Sequence, residues 1–545
     1  MLCTLRRFLY STAFLTLALP LAAQSVVPTA AELRTGRAFD AAKKLGTPAL
    51  YAFLAPMPKG ADLHMHLSGA IYAETFLRDA VQQNLCVNDT ALVLTRPTVV
   101  DGKPACAAGD LPASSVLAGP IIVDKAKNLS GQSLYDELVD SFSMRGFVPT
   151  PGFTGHDQFF ATFGRFGLAK NPGEWLDEVA TRAAAQNEQY LEIMQTPSFG
   201  NAATLGYKIG WPADATDSIK PEELADLRTK LLAAGLTDEV AVDTKELAEA
   251  KAERNRIEHC GGDTVIVDTK HPRFAPCTVQ IHWLYQVLRA FPPQQVFAQT
   301  LLGFELASAD PDVVGINFVQ PEDDRRAMAD YHLQMQMLDY LHSVYPKVKI
   351  SLHAGELAPG LVPPEGLKFH IREAVELGHA SRIGHGVDVM YETDAPALLK
   401  EMADKHVMVE INLTSNDGIL GVKGINHPLH SYLAAHVPVA LSTDDEGVSR
   451  IDLTHEYVKA AEEQGIGYTE LKQMARTSLE HAFLAGESLW SAPDDFAHRK
   501  AVCAAPISST GQTTNACLTF LKANERALQQ YEMERRFAAF EASIK

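Results

Sequence analysis

Apolar positions in this chain come in blocks. Short, nearly continuous apolar runs rich in β-branched side chains recur at 61–67, 190–195, 279–283, 313–319, 348–353, 382–385, 407–413 and 439–442, each followed by polar or glycine-containing residues. Runs of that length with no polar alternate face suit strands covered on both sides, as in a parallel sheet. Pro438 before the last run is tolerated, because its missing donor falls at a strand start. Helical spacing fills many of the gaps: 333–345 sets Met337, Leu338, Leu341 and Val344 on one face, and 457–475 is similar. Eight buried strands alternating with helices predict an α/β fold, a (β/α)8 TIM barrel.

Three segments exceed eight regular units. Residues 84–132 form an insertion holding Cys86 and Cys106, with a small separate lobe as the alternative. Residues 199–276 form a second, with charged helical stretches at 221–234 and 244–257; Cys260 lies inside it and Cys277 just after. A C-terminal extension at 491–545 carries Cys503, Cys517 and a terminal helix at 518–544. All three read as decorations on a single domain spanning 24–545.

The N-terminus changes the setting. Arg6 and Arg7, an apolar stretch at 8–21 and the small residues of Leu21-Ala22-Ala23 read as a signal peptide over 1–23. The stretch is short of the roughly 20 residues a membrane span needs, although a signal anchor is the alternative. The mature protein is therefore expected to be exported, periplasmic or extracellular, without stable membrane insertion. Of seven cysteines, Cys3 leaves with the signal, and the other six cluster as local pairs that predict disulfides 86–106, 260–277 and 503–517. A formal net charge of -19 argues against nucleic acid as a partner, since phosphate binding needs a basic surface.

The ends of the runs carry the chemistry. His64 and His66 flank Met65, and strand residues two apart share a face, so both imidazoles can meet one ion. His353 ends one run and precedes Ala354-Gly355-Glu356; His385 ends another; Asp444 and Asp445 follow the last. Singly, these are a core histidine, a solvated glutamate or a capping aspartate. Jointly they converge on the one mouth where parallel barrels place their chemistry. Zinc takes nitrogen and carboxylate ligands and leaves a position for water in catalytic sites, so His64, His66, His353 and Asp444 form a suitable set for one Zn2+ per chain. Glu356 can then act as proton donor, His385 can take a proton from the attacking water or stabilise the hydroxide, and Asp445 can accept a hydrogen bond from substrate.

The stretches Pro58-Lys59-Gly60-Ala61-Asp62-Leu63-His64-Met65-His66-Leu67-Ser68-Gly69-Ala70, Leu352-His353-Ala354-Gly355-Glu356, Arg382-Ile383-Gly384-His385-Gly386 and Ser442-Thr443-Asp444-Asp445 resemble, in order and spacing, those of the adenosine deaminase family. The resemblance implies a metal-dependent-hydrolase TIM barrel, zinc, and hydrolytic deamination of adenosine or deoxyadenosine to inosine products with release of ammonia. It makes His64, His66, His353 and Asp444 the ligands, and Glu356 the donor to purine N1. His385 becomes the base that orients the attacking hydroxide, and Asp445 the partner of purine N7.

Two departures bear on the purine nucleoside substrate. Ser68 stands where many members carry an acidic residue contacting the ribose, and Gln320 ends a fourth-strand-like motif where a glycine often contacts the purine. Another aminopurine, adenine or an N6-substituted adenine nucleoside, is therefore the alternative substrate. A non-catalytic nucleoside-binding protein should have lost a ligand or the proton donor, and neither is missing. The cytidine-type deaminase needs a P-C-x-x-C that this chain lacks. His379, His427 and His430 are expected to be structural, and the aromatics following His156 to pack in the core.

Overall fold

A computed structural model describes residues 28–100, 102–117, 131–197, 200–260 and 276–545. The signal-peptide reading of residues 1–23 lies outside the described residues. Eight parallel strands pair in chain order: β1 (Gly60–His66), β2 (Glu188–Gln195), β3 (Gln280–Leu288), β4 (Val313–Val319), β5 (Lys349–Ala354), β6 (Arg382–His385), β7 (Met408–Ile411) and β8 (Val439–Leu441). The ring closes just past β8. There the Asp444 N–H donates to the His64 carbonyl at 2.9 Å, and the His66 N–H donates to the Asp444 carbonyl at 3.2 Å. The chain forms a TIM barrel.

Each apolar run became a barrel strand because its side chains are buried on both faces, with Ile350 and Leu352 of β5 or Ile383 of β6 almost wholly covered. Helices pack around the outside. Tyr331–Val344 buries Leu333, Met337, Leu338 and Leu341. Val344, expected on the same face, is 38% exposed at the helix end. β3 runs five residues past the predicted 279–283, because Leu284-Tyr285-Gln286-Val287-Leu288 continues the pairing with β4. β7 stops earlier than 413, since Asn412 caps the helix Leu413–Leu420.

The insertion at 84–132 builds a three-stranded antiparallel sheet (Cys86–Asn88, Val93–Thr95, Asp110–Pro112) and a hairpin (Thr98–Val100, Lys103–Ala105). The second insertion holds helices Pro221–Ala233 and Leu236–Ile257; the latter starts well before the expected 244, directly after Gly235 in a left-handed conformation. Disulfides join Cys86 to Cys106, Cys260 to Cys277 and Cys503 to Cys517, as the clustering predicts. Among the described residues no helix is long and apolar enough to cross a membrane.

The terminal helix differs most from expectation. It is two helices, Asn515–Ala523 and Glu525–Ser543, broken at an extended Asn524 whose side-chain oxygen accepts the Glu487 N–H at 2.8 Å. The second closes the N-terminal end of the barrel. Met533, Phe537 and Phe540 are buried in the main core, and Arg536 donates to the Asn187 side chain at 3.2 Å beside the start of β2. Phe537→Ala should therefore destabilise the barrel by about 3–5 kcal/mol, as for a core phenylalanine. Thermal denaturation followed by circular dichroism checks this; an unchanged transition would mean that the helix does not belong to the core.

Candidate active site

The C-terminal ends of the strands deliver the predicted side chains to one place. His64 and His66 project from the same face of β1, and His353 from β5; Asp444 follows β8. His353 Nε2 lies 3.1 Å from both His64 Nε2 and His66 Nε2, and Asp444 Oδ1 lies 3.4 and 3.3 Å from the same two nitrogens. Donor atoms take this spacing when they share an ion about 2.0–2.1 Å away. Gly384 makes room for it: a Cβ there would meet His64 Cε1 at 2.5 Å.

Hydrogen-bond direction decides what these atoms present. His353 Nδ1 lies 2.8 Å from Asn317 Oδ1, which also accepts the His353 backbone N–H at 3.1 Å, so the Asn317 oxygen faces the ring and Nδ1 carries the proton. His66 Nδ1 lies 2.7 Å from Gln286 Oε1. The Thr196 hydroxyl spends its hydrogen on the Gln286 carbonyl and accepts from Gln286 Nε2, both at 3.0 Å, which turns Oε1 toward His66. His64 Nδ1 donates to Glu410 Oε2 at 2.6 Å. All three rings therefore direct bare Nε2 lone pairs at one another and at a carboxylate, an arrangement that a cation stabilises. The charge balance agrees. Burial disfavours a charged His64, yet Asp444 and Glu410 raise its pKa to about 10, so without an ion a proton takes the inward Nε2 position that a cation would otherwise satisfy.

Behind Glu410 sits Arg382, wholly buried, with Nε on Glu410 Oε1 and NH2 paired with Glu192 Oε2, each at 2.7 Å. The Ser415 hydroxyl holds Asp444 Oδ2 at 2.7 Å. None of the supports Gln286, Asn317, Glu410 or Ser415 was foreseen. Glu410 carried a signal, a charge inside the apolar strand Met408-Val409-Glu410-Ile411; Gln286 lay beyond the predicted end of its strand.

The remaining predicted residues surround a cavity of about 340 Å3 whose lining includes His66, His353, Glu356, Asp444 and Asp445. Glu356 is aimed by Glu322, whose two oxygens accept the N–H groups of Gly355 at 3.0 Å and Glu356 at 2.7 Å, while His370 Nδ1 donates to Glu322 at 2.5 Å. Burial, then the Asp444 and Glu322 charges, hold Glu356 well above the usual carboxylate range, which favours a protonated acid. Burial and the neighbouring Asp444 charge push Asp445 up to about 8. Its side chain lines the cavity beside Asp444. Asp445 lies against Gly69, where a Cβ would meet its Oδ1 at 1.4 Å.

His385 belongs to the cluster, its ring nitrogen within 4.8 Å of ligand atoms of His64, His353 and Asp444, and burial takes its pKa down to about 3. Ser68 and Gln320 line the cavity. Gln320 adopts φ 84°, and its side-chain oxygen accepts the Ala290 N–H at 2.9 Å, which leaves its NH2 group as the free end. His385 (φ 68°) and Asp444 (φ 60°) share that left-handed backbone region, at a cost of about 1–2 kcal/mol each. Phe159, Phe160 and Phe163 of the helix Gly155–Phe166 also line the cavity. The expected core packing holds, with Phe159 inside the main core and Phe160 and Phe163 packed against it, and the same rings also wall the opening. His379 pairs with Asp339 at the surface and His430 with the Gln464 carbonyl, as structural histidines. His427 is buried one residue away from His385, through Asn416.

A family model described as adenosine deaminase matches residues 177–489, more than half of the chain. The chain belongs to the adenosine deaminase family. Adenosine deaminase of Shewanella loihica is 37% identical over 137 residues, 25% of this chain and 38% of that relative. The Escherichia coli enzyme is 37% identical over 139 residues, with the same shares. The chain thus matches 38% of the length of these curated family relatives. Among solved structures, an adenine deaminase from Arthrobacter aurescens is 16% identical with a TM-score of 0.47, covering 78% of this chain and 94% of its own. The N6-methyl-AMP deaminase of Arabidopsis thaliana is 19% identical with a TM-score of 0.47, covering 79% and 94%.

Replacing Asn317 by Leu removes the acceptor that holds His353 in its lone-pair-inward form. It should weaken metal binding by about 10–100-fold while the fold is kept, read by competition with a chromophoric chelator. Unchanged affinity would show that His353 is not a ligand or needs no such support.

Proposed function

We propose that this chain is a zinc-dependent aminohydrolase that converts adenosine and deoxyadenosine to inosine and deoxyinosine, one water consumed and one ammonia released. One observation carries the reading: three imidazole nitrogens and the Asp444 carboxylate converge beside the buried carboxyl groups of Glu356 and Asp445 on the floor of an aromatic-walled cavity. His64, His66, His353 and Asp444 would hold the ion, whose donor set is that of a catalytic zinc site. Bound there, zinc supplies Lewis acidity, lowering the pKa of water from about 15.7 to about 7.

The chain's own residues do the rest. The cavity's phenylalanines cover the purine and exclude water. Protonated Glu356 gives its proton to purine N1 as the attacking oxygen adds at C6, and protonated Asp445 donates a hydrogen bond to N7. The tetrahedral carbon then collapses: the proton of its new hydroxyl passes to the exocyclic nitrogen, the C6 carbonyl forms, and the C–N bond breaks to release ammonia. His385 contacts the attacking oxygen. Ser68 and the free Gln320 amide face the sugar and the far purine edge, and they favour testing adenine and N6-methyladenosine alongside adenosine. The same proposal places the mature protein outside the cytoplasm, with residues 1–23 as the export signal; the three disulfides support this.

Purified, zinc-loaded protein should convert adenosine to inosine, followed by the change in ultraviolet absorbance; no turnover of any aminopurine would end the proposal. Glu356→Gln should keep its zinc and lose turnover by at least about 100-fold, because donation is separate from ligation. Full activity in that variant would remove Glu356 from the mechanism. The wild-type rate should fall as pH rises through the elevated Glu356 pKa, since only the protonated carboxyl donates.

A further inference from the structure

Four histidines meet in this site, and the direction of their hydrogen bonds is not the same. Three hold a proton on Nδ1 and turn a lone pair inward. The fourth, His385, is reached by a chain of hydrogen bonds that begins at a group whose polarity is beyond doubt, a backbone N–H. The Leu429 N–H donates to His427 Nδ1 at 3.2 Å, so that nitrogen bears the lone pair. His427 is neutral, because burial takes its pKa down to about 4, and its single ring proton therefore sits on Nε2. His427 Nε2 lies 3.1 Å from Asn416 Oδ1 and donates to it. With its oxygen so engaged, Asn416 offers its NH2 group to His385 Nδ1 at 3.0 Å, and the Asn412 NH2 group stands on the same side at 3.5 Å. Amide donors thus face His385 Nδ1, and the Glu356 Oε1 oxygen, 3.7 Å from it, stands beyond hydrogen-bond reach, so Nδ1 is the bare nitrogen. The proton of the neutral ring is on Nε2, an atom that is buried with no partner among the described residues.

From this relay we infer that His427 and Asn416 are positioning residues that lock His385 in the Nε2–H form, so that His385 meets the attacking oxygen as a hydrogen-bond donor and not as the base that removes its proton. The inference rests on the proposed deamination for its kinetic consequence only. With Nε2 already protonated and Nδ1 facing N–H groups, neither nitrogen can accept a proton unless the relay reverses. The donor instead points one lone pair of the incoming oxygen at His385, which leaves another free for C6. It also stabilises the negative charge that this oxygen carries before attack. The proton that the water loses would pass to solvent before substrate fills the cavity, which an ion-lowered water pKa of about 7 permits. This explains why a histidine beside a metal cluster is backed by asparagines; a ring meant to become a cation would be better served by a carboxylate on Nδ1.

Asn416→Asp tests the direction. A carboxylate at that position accepts, so it reverses the relay and pulls the His385 proton to Nδ1, turning a lone pair inward. On zinc-loaded full chain with 15N-labelled imidazoles, the His385 signals, assigned by comparison with His385→Gln, should show a protonated Nε2 and a bare Nδ1 in the wild type and the opposite in Asn416→Asp. The same variant should lose kcat by at least about 100-fold with little change in KM and zinc content. His427→Gln, which can still donate to Asn416, should keep the wild-type pattern and most of the rate, while His427→Phe should lose both. A bare Nε2 in the wild-type protein, or full kcat in Asn416→Asp, would overturn the inference. Because the nitrogen signals need no substrate, a protein that deaminates nothing would still reveal its His385 form, and only the functional proposal would fail.

Discussion

The structure is organised around a repulsion. His64, His66, His353 and Asp444 bring electron-rich atoms within 3.1–3.4 Å of one another in a buried place. Nothing in the side chains themselves favours that approach; the barrel enforces it. Closure between β1 and the residues after β8 runs through these same residues, since the His64 carbonyl and the His66 and Asp444 N–H groups make the closing hydrogen bonds. A shift of one residue in that register would turn the histidines of β1 into the opposite face. The metal cluster and the last seam of the barrel are one construction.

Electrostatics at a distance complete it. The outward nitrogens of the ligand rings each find an oxygen, from Glu410, Gln286 and Asn317, so the tautomer is settled before any ion arrives. Glu410 is an anion in the barrel interior and would be costly alone; Arg382 beside it, paired also with Glu192, compensates the charge. Glu322 does for Glu356 what Glu410 does for His64, through backbone N–H groups instead of a ring. It adds a negative charge that keeps the neighbouring carboxyl protonated. Support and chemistry are thus tuned by the same side chains.

The additions to the barrel divide by position. The helix Glu525–Ser543 seals the end opposite the site, where it contributes core volume and no chemistry. The disulfides brace the insertions and the C-terminal extension, away from the strands. The helix Gly155–Phe166 reaches the mouth, and it brings aromatic surface to a cavity otherwise floored by carboxylates and imidazoles.

What the sequence determined by itself was the part written locally. Apolar runs marked all eight strands, and the polar residues at or just past their ends, from His64 to Asp445, are the ones that gather in one site, because strand ends and short spacing are properties of neighbouring residues. Cysteine clustering gave the disulfides for the same reason. Tertiary structure alone decided which lone pairs point inward. Asn317 and Glu410 are single polar residues in apolar strands, Gln286 is one of three polar residues in its own, and nothing nearby in the chain says what they accept; Glu410 meets its histidine across 346 positions. His427 read as a structural histidine because its meaning lies in direction: a backbone N–H on one side of it and Asn416 on the other. A residue type states what a side chain can donate or accept. Only the fold, by choosing its partners, states which of the two it does.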